Sequence, residues 1–404
     1  MFSGEVMNYK FDAVILGGGA SGLMCAIAAK RKNQHLKIAV LEKNDRVGKK
    51  LLATGNGRCN LTNENVCRER YTGSFTKQSE AVFKRYGCAE LLEYFEALGL
   101  LTFKDNEGRY YPVSRQASSV LDVLRFNCEN RGVEFFCKET VQSIKKQSGF
   151  LIKTDKNVFS AKKLVAATGS KAGPKLGGSG SAADILKNRG HKIVPFTPAL
   201  CPIEVKSDIL KSLKGLRAQA EVGIADRTER GEVQFNEDNL SGICVFNLSL
   251  YTRPNDIITV DLLPDISNKE LYDVLLKNKS LFSLQNADCL FTGILQKRIA
   301  QAVMKTAEIK DFSRPCTTLG DEELRRAANA AKSLRFTITG NAGFDRSQAC
   351  RGGVQGNEID PLTMQSRIDK NLYVCGEAID LCGECGGYNL HFAFASGIIA
   401  GESL

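Results

Sequence analysis

Three glycines stand at G-x-G-x-x-G spacing near the start of the chain, at Gly17, Gly19 and Gly22, and Glu42 follows about twenty residues later. A dinucleotide needs that set of residue types. A tight turn, a close backbone approach to a pyrophosphate and tight helix–strand packing each call for a glycine. The acid offers an acceptor to a ribose hydroxyl. A second glycine group, Gly55-Asn56-Gly57, precedes Arg58, Cys59 and Asn60. Its glycines let the backbone lie along phosphates and reach a cofactor's reactive ring, and Arg58 can meet an anion. A third group lies far away, Gly383 to Asn389 (GECGGYN), after Gly376-Glu377 and Asp380. Thr168-Gly169 ends an apolar run and suits another close backbone approach.

Thiols and an imidazole offer further chemistry. Cys382 and Cys385 form a C-x-x-C with three readings: a zinc site, a redox disulfide passing electrons to a cofactor, or two unpaired small residues. Zinc takes four ligands as a rule, and no second C-x-x-C or C-x-x-H occurs. His391 stands one turn into the last helix, whose N-terminus favours the neutral ring. It lines a substrate side or fills space. Tyr388 and Glu384 are lesser candidates.

The elements that must position these groups are legible in outline. Asp12 to Leu16 reads as a buried strand, Leu23 to Lys30 as a helix and Lys37 to Leu41 as a second strand. The helix start between them offers free N–H groups and a positive dipole end to phosphate. Helices are expected at Ser79–Tyr86, Ala89–Ala97 and Ala117–Asn130, and GRYYP (108–112) as a turn between short strands. Short strands follow at Val133–Phe136, Val141–Lys145, Phe150–Thr154, Asn157–Ser160 and Lys162–Ala167. Gly177 to Gly180 opens a helix to about Asn188. Pro195, Pro198 and Pro202 mark a change to antiparallel β structure, with a capping box at Ser267 to Glu270 and helices at Ile294–Ala307 and Asp321–Lys332. Asn371–Val374 returns as a buried strand, and Leu390–Ala400 as an apolar helix.

This gives an α/β fold: a discontinuous Rossmann-like nucleotide-binding domain over 1–194 and 341–404. A β-rich domain over 195–265 and 333–340 is inserted in it, with a helical domain over 266–332. The 404 residues suit several cores rather than one. No apolar run reaches a membrane span, and MFSGEVMNYK lacks a signal peptide's apolar core, although Met7 is an alternative start. The 14 scattered cysteines then read as reduced thiols in a cytoplasmic protein, with no metal. The formal charge of +10 permits attraction to nucleic acid, but the Lys/Arg groups are short.

Over essentially its whole length the chain resembles the flavoproteins variously called BaiN-like, YhiN-like or aminoacetone oxidase-like. The resemblance is carried by Gly17 to Gly22 (with Ala20 and Ser21), Glu42-Lys43, Gly48 to Leu51 (with Lys50), Gly55 to Asn60, Thr168-Gly169, Leu240 to Gly242, Gly352 to Val354, Gly376-Glu377 and Gly386 to Leu390. GRCN and GGYN are specific to that family. The resemblance implies FAD rather than NAD, in a domain like glutathione reductase's FAD domain. It implies Glu42 at the adenosine ribose, the backbone near Val141 at adenine, and Asp380 near the ribityl–phosphate region. Gly387, Tyr388, Asn389 and Leu390 are then at the flavin ring. It brings Cys59 near the flavin, where it donates a proton or merely packs, so Cys59, His391 and Arg58 are the catalytic candidates. Asn239, Ile243, Cys385 and His391 depart from the family pattern.

The family's chemistry is a hydride from reduced FAD to the β-carbon of a conjugated carbonyl, with NAD(P)H as transient donor. Its substrates are a uridine of ribosomal RNA or a steroid-like bile-acid enone, and the basic charge leans toward RNA. Two alternatives differ in class: an oxidase of a small amine such as aminoacetone, and a flavin-containing RNA-binding protein without catalysis.

Overall fold

The computed structural model describes residues 7–404, so residues 1–6 of MFSGEVMNYK lie outside the described residues. The chain divides into two compact units, Met1–Ala199 with Phe344–Leu404, and Leu200–Gly343. Each has its own apolar core.

In the first unit Glu134–Cys137, Ile38–Glu42, Asn8–Leu16 and Val158–Ala166 lie side by side and parallel. Ile38–Glu42 is buried at every position, as a parallel strand covered on both faces should be. Val158–Ala166 carries two strands on its far edge. Phe150–Thr154 runs antiparallel along its first half and Leu372–Val374 runs parallel along its second. A strand from the end of the sequence, Leu372–Val374, thus docks on the sheet begun by the first. Two separate strands were expected over 157–167, but the structure forms one. Its register with the first strand runs from Asn8↔Val158 to Leu16↔Ala166, and no turn residue interrupts it at Ala161-Lys162. The helix that Gly177 to Gly180 opens runs over Ser181–Lys187, with Gly180 as its N-cap and Asn188 as its C-cap. Ile193–Ala199 pairs antiparallel with Ala349–Val354, and Pro195 and Pro198 sit beside a register shift in that two-stranded edge.

The first helix, Ala20–Lys32, and the last, Tyr388–Glu402, pack against each other through glycines. A Cβ on Gly397 would stand 2.5 Å from the Ser21 carbonyl oxygen, and one on Gly401 2.3 Å from that of Cys25. Four residues on one helix match four on the other, so the helices run parallel.

In the second unit six strands close into a barrel. Their order is Ile203–Lys206, Asn239–Ser241, Arg227–Phe235, Arg217–Ile224, Ile257–Asp261 and Leu334–Asn341. Antiparallel strands were expected here, but not closure. Ile203–Lys206 closes the barrel by pairing with both Asn239–Ser241 and Leu334–Asn341, which no local pattern announces. The helices Asn268–Leu281, Lys297–Thr306 and Asp321–Lys332 share one core with the barrel. Ser267 caps the first of them: its hydroxyl accepts from the Glu270 amide at 3.2 Å while Glu270 accepts from the Ser267 amide at 2.8 Å. Among the described residues no helix is long and apolar enough to cross a membrane.

Candidate functional site

At the start of the first helix the glycines differ in what surrounds them. A Cβ on Gly22 would stand 2.0 Å from the Gly17 carbonyl oxygen, so this glycine packs the helix onto the strand. A Cβ on Gly19, the N-cap residue, would meet no protein atom within 4 Å. The helix has no acid in its first turn and no side-chain cap, which leaves N–H groups for an anion. Ser21 is buried and Ala20 half-buried beside it. Glu42 is buried at the end of the second strand. Its Oε2 accepts from the Gly18 amide at 3.0 Å, and its Oε1 accepts from the Asn44 amide and side chain at 2.9 and 2.7 Å. An ionised carboxylate has about four acceptor positions, so room for one further hydroxyl remains. Burial lowers the pKa of the neighbouring Lys43 ammonium. The Lys138 and Glu139 amides donate to the Asn44 and Glu42 carbonyls at 2.8 and 3.0 Å, which brings the backbone approaching Val141 to the same strand end.

Lys50 and Glu377 form an ion pair at 2.6 Å, with the Ser170 hydroxyl 3.4 Å from the same oxygen. The pair joins the helix Lys49–Ala53 to the turn at Gly376 and faces Gly169, whose Cβ position lies 3.7 Å from Glu377 Oε2. Thr168 is half-buried beside it. Nothing in the sequence around either partner signals this pairing. Asp380 is buried and ties the turn at Ser74 to the strand Ala349–Val354. Its Oδ2 accepts from the Ser74 amide at 2.8 Å and its Oδ1 from the Gly352 amide at 2.9 Å.

The last helix starts earlier along the common axis than the first, its N-terminus projecting past that of the first. With Gly397 level with Ser21, its N-cap Gly387 lies about eight residues beyond Gly19, or about 12 Å of helix rise. It too has no first-turn acid and no side-chain cap. Gly387 has φ 101°, and its Cβ position is 2.6 Å from the Thr62 carbonyl oxygen and 2.7 Å from Asn60 Oδ1. That Asn60 oxygen is buried and has no hydrogen-bond partner. Gly55, Asn56, Gly57 and Cys59 all take positive φ, so the segment before Asn60 is a tightly coiled loop. Tyr388 is buried edge-on to Tyr71, with its carbonyl accepting from the Tyr71 hydroxyl at 2.8 Å. Leu390 is half-buried. Asn389 points back rather than outward: its amide accepts from the Gly383 N–H at 2.9 Å and donates to the Gly383 carbonyl at 2.8 Å.

The three catalytic candidates fare differently. Cys59 is completely buried, and burial pushes its thiol up to about 12. It is a poor proton donor at neutral pH. His391 is also buried, and desolvation lowers it to about 4. Its Nδ1 is 2.8 Å from the Thr62 hydroxyl and its Nε2 3.0 Å from the Tyr86 carbonyl. A neutral ring that donates from Nε2 and accepts at Nδ1 satisfies both contacts, so no nitrogen is left for a substrate. His391 fills space and pins the helix start. Arg58 is exposed, donates to the Gly55 carbonyl at 3.3 Å and lies 5.2 Å over the Tyr111 ring.

Cys382 and Cys385 are unbridged. Cys382-Gly383 is extended and paired with Tyr71-Thr72, so the C-x-x-C begins as a strand rather than the helical turn in which such thiols meet. Among the described residues no group of three His, Cys, Asp or Glu side chains is placed to hold a metal ion.

The profile of the HI0933-like protein Rossmann domain matches residues 11–403. The 3-dehydro-bile acid delta(4,6)-reductase of Clostridium scindens is 36% identical over 96% of this chain and 98% of its own. A ribosomal RNA dihydrouridine synthase of Escherichia coli K12 is 26% identical over 98% of each chain. The 3-ketosteroid-delta4-(5alpha)-dehydrogenase of Rhodococcus jostii shares the fold at a TM-score of 0.52 and 13% identity, covering 100% of this chain and 98% of that one.

Proposed function

This chain belongs to the HI0933-like Rossmann family, and from that premise we propose that it is an FAD-dependent reductase of a conjugated carbon–carbon double bond, acting on a steroid-like enone. The observation that carries the cofactor is the pair of uncapped, glycine-lined helix starts, parallel and about 12 Å apart along one axis. That offset suits a pyrophosphate at the first and a flavin ring at the second, joined by a ribityl chain.

The residues fit FAD at both ends. The open space at Gly19 and the spare acceptor position on Glu42 suit the adenosine diphosphate half. The unpartnered Asn60 oxygen beside Gly387 suits a ring N–H of the flavin. Bound FAD supplies hydride transfer between a nicotinamide and the substrate's β-carbon. The positive end of the last helix would favour negative charge on the pyrimidine edge of a flavin held there. Cys59 and His391 are withdrawn from proton transfer, and Tyr388 stands at this helix start beside Tyr71. Burial raises the Tyr388 pKa, so the phenol stays protonated at neutral pH.

The 36% identical bile-acid reductase favours the enone substrate. A uridine of ribosomal RNA is the second reading, favoured by the +10 formal charge and the more distant dihydrouridine synthase. NAD(P)H is the proposed donor. The test is anaerobic: FAD-loaded protein is reduced with NADPH and mixed with a 3-keto-Δ4 steroid, a uridine-containing RNA hairpin, or buffer. Rapid return of the oxidised flavin spectrum with the steroid alone supports the reading. Return with RNA alone moves the assignment to the second. Return with neither, together with peroxide formation from aminoacetone in air, would point to an oxidase.

A further inference from the structure

Thr62-Asn63, Thr102–Lys104 and Arg109–Pro112 form a small sheet whose one face carries a strip of apolar and aromatic side chains. Phe103 pairs with Tyr111, and the Val113 amide donates to the Leu101 carbonyl at 3.0 Å, so these four residues share a face. Leu101 is 66% and Val113 57% exposed, while Tyr111 is buried. The Phe103 and Tyr111 rings stack with centroids 5.8 Å apart at 27°. A guanidinium covers each ring: Arg58 lies 5.2 Å over Tyr111 and Arg115 4.8 Å over Phe103.

Charge distinguishes this strip from its surroundings. Lys104 and Arg109, on the same strands, are paired with Glu64 and Glu107. Among the described residues neither Arg58 nor Arg115 has a carboxylate partner. The strip is contiguous with the start of the last helix. Asn60 touches the Cβ position of Gly387, and the Cβ position of Gly55 lies 3.0 Å from the Asn60 nitrogen and 3.7 Å from Tyr111.

We propose that this strip docks the anionic end of the substrate: a flat apolar ring system bearing a carboxylate. Arg115 takes the carboxylate, and Leu101 and Val113 lie under the rings. The inference rests on the reductase reading and adds its specificity determinants. A guanidinium seated on an aromatic face is preorganised and partly desolvated, and its planar fork matches a carboxylate. Exposed apolar side chains beside two unpaired cations suit a ligand that is itself apolar and anionic.

The test uses FAD-loaded protein and two matched 3-keto-Δ4 steroids, one with a side-chain carboxylate and one with its methyl ester. Equilibrium dialysis without reductant gives Kd, and turnover gives KM and kcat separately. Arg115→Ala is expected to raise Kd and KM for the acid about tenfold, with the ester within about twofold. Arg115→Lys recovers part of the loss, and Leu101→Ser weakens both steroids. The bound flavin spectrum and kcat stay unchanged. Equal effects on acid and ester, or no effect on either, would overturn the proposal, as would binding of an RNA hairpin but neither steroid. A wild-type protein that binds the acid selectively through Arg115 yet reduces no enone would count against the reductase reading alone.

Discussion

Gly19→Ala separates a glycine kept for a ligand from one kept for the fold. Gly19 has φ −86° and ψ −169°, which alanine adopts without strain, and its Cβ would meet no protein atom within 4 Å. In the protein without FAD two small effects oppose each other. Alanine is a poorer N-cap than glycine, by roughly 0.5–1 kcal/mol. It also reduces unfolded-chain entropy, worth roughly 0.4–1 kcal/mol in the other direction. The apoprotein's stability is therefore expected to change by less than about 0.5 kcal/mol. In the proposed site the methyl group instead takes the space a pyrophosphate would fill. Losing one charge-assisted hydrogen bond there costs about 1.5–3 kcal/mol, or about 10- to 150-fold in Kd for FAD. Gly22→Ala is the contrast. Its Cβ would sit 2.0 Å from the Gly17 carbonyl oxygen, so it destabilises the protein with or without FAD, by about 1–3 kcal/mol or more. Thermal melts of both apoproteins and fluorescence titration with FAD read the two effects apart. A Gly19→Ala protein that melts early and binds FAD normally would refute the reasoning.

Three further outcomes follow from the site and its supports. His391 is held near pKa 4 in the folded protein against 6.5 for an ordinary histidine. The unfolded chain therefore takes up the proton first as pH falls, and stability declines from about pH 6.5 toward 4, by about 2 kcal/mol between pH 7 and 5. Urea unfolding at the two pH values checks this, and His391→Phe should flatten the response while lowering stability at pH 7. Brief alkylation of the native protein at pH 8 should modify exposed Cys67 and spare buried Cys59, as read by peptide mass spectrometry. Ser267→Ala removes the cap of Asn268–Leu281 and should cost about 1 kcal/mol in denaturant unfolding.

The parts of the site set by local chemistry were legible in the sequence. A strand, three glycines, a helix and an acid in that order are readable as a unit, because Gly22 answers a steric demand from Gly17 five residues earlier and Gly19 leaves open space at the helix start. The capping box at Ser267 was legible for the same reason. What escaped depends on distant partners. Ser74 and Gly352 meet on Asp380, Lys50 meets Glu377, and Thr62 and Tyr86 close around His391 only when far-apart segments assemble. His391 shows the consequence. The helix start suggested a neutral ring, but the two partners that consume both nitrogens lie hundreds of residues earlier in the chain. Asn389 likewise occupies a motif position yet braces Gly383. The strip at Leu101 and Val113 was hidden because GRYYP reads as a turn, and only strand pairing sets its faces.

Everything chemical here requires one flavin seated across both helix starts. Titration of the purified chain with FAD, followed by flavin fluorescence, tests this. Saturable binding at one FAD per chain, weakened by Gly19→Ala, is expected. A protein that stays colourless after incubation with excess FAD, and leaves the dye's fluorescence untouched, would contradict it.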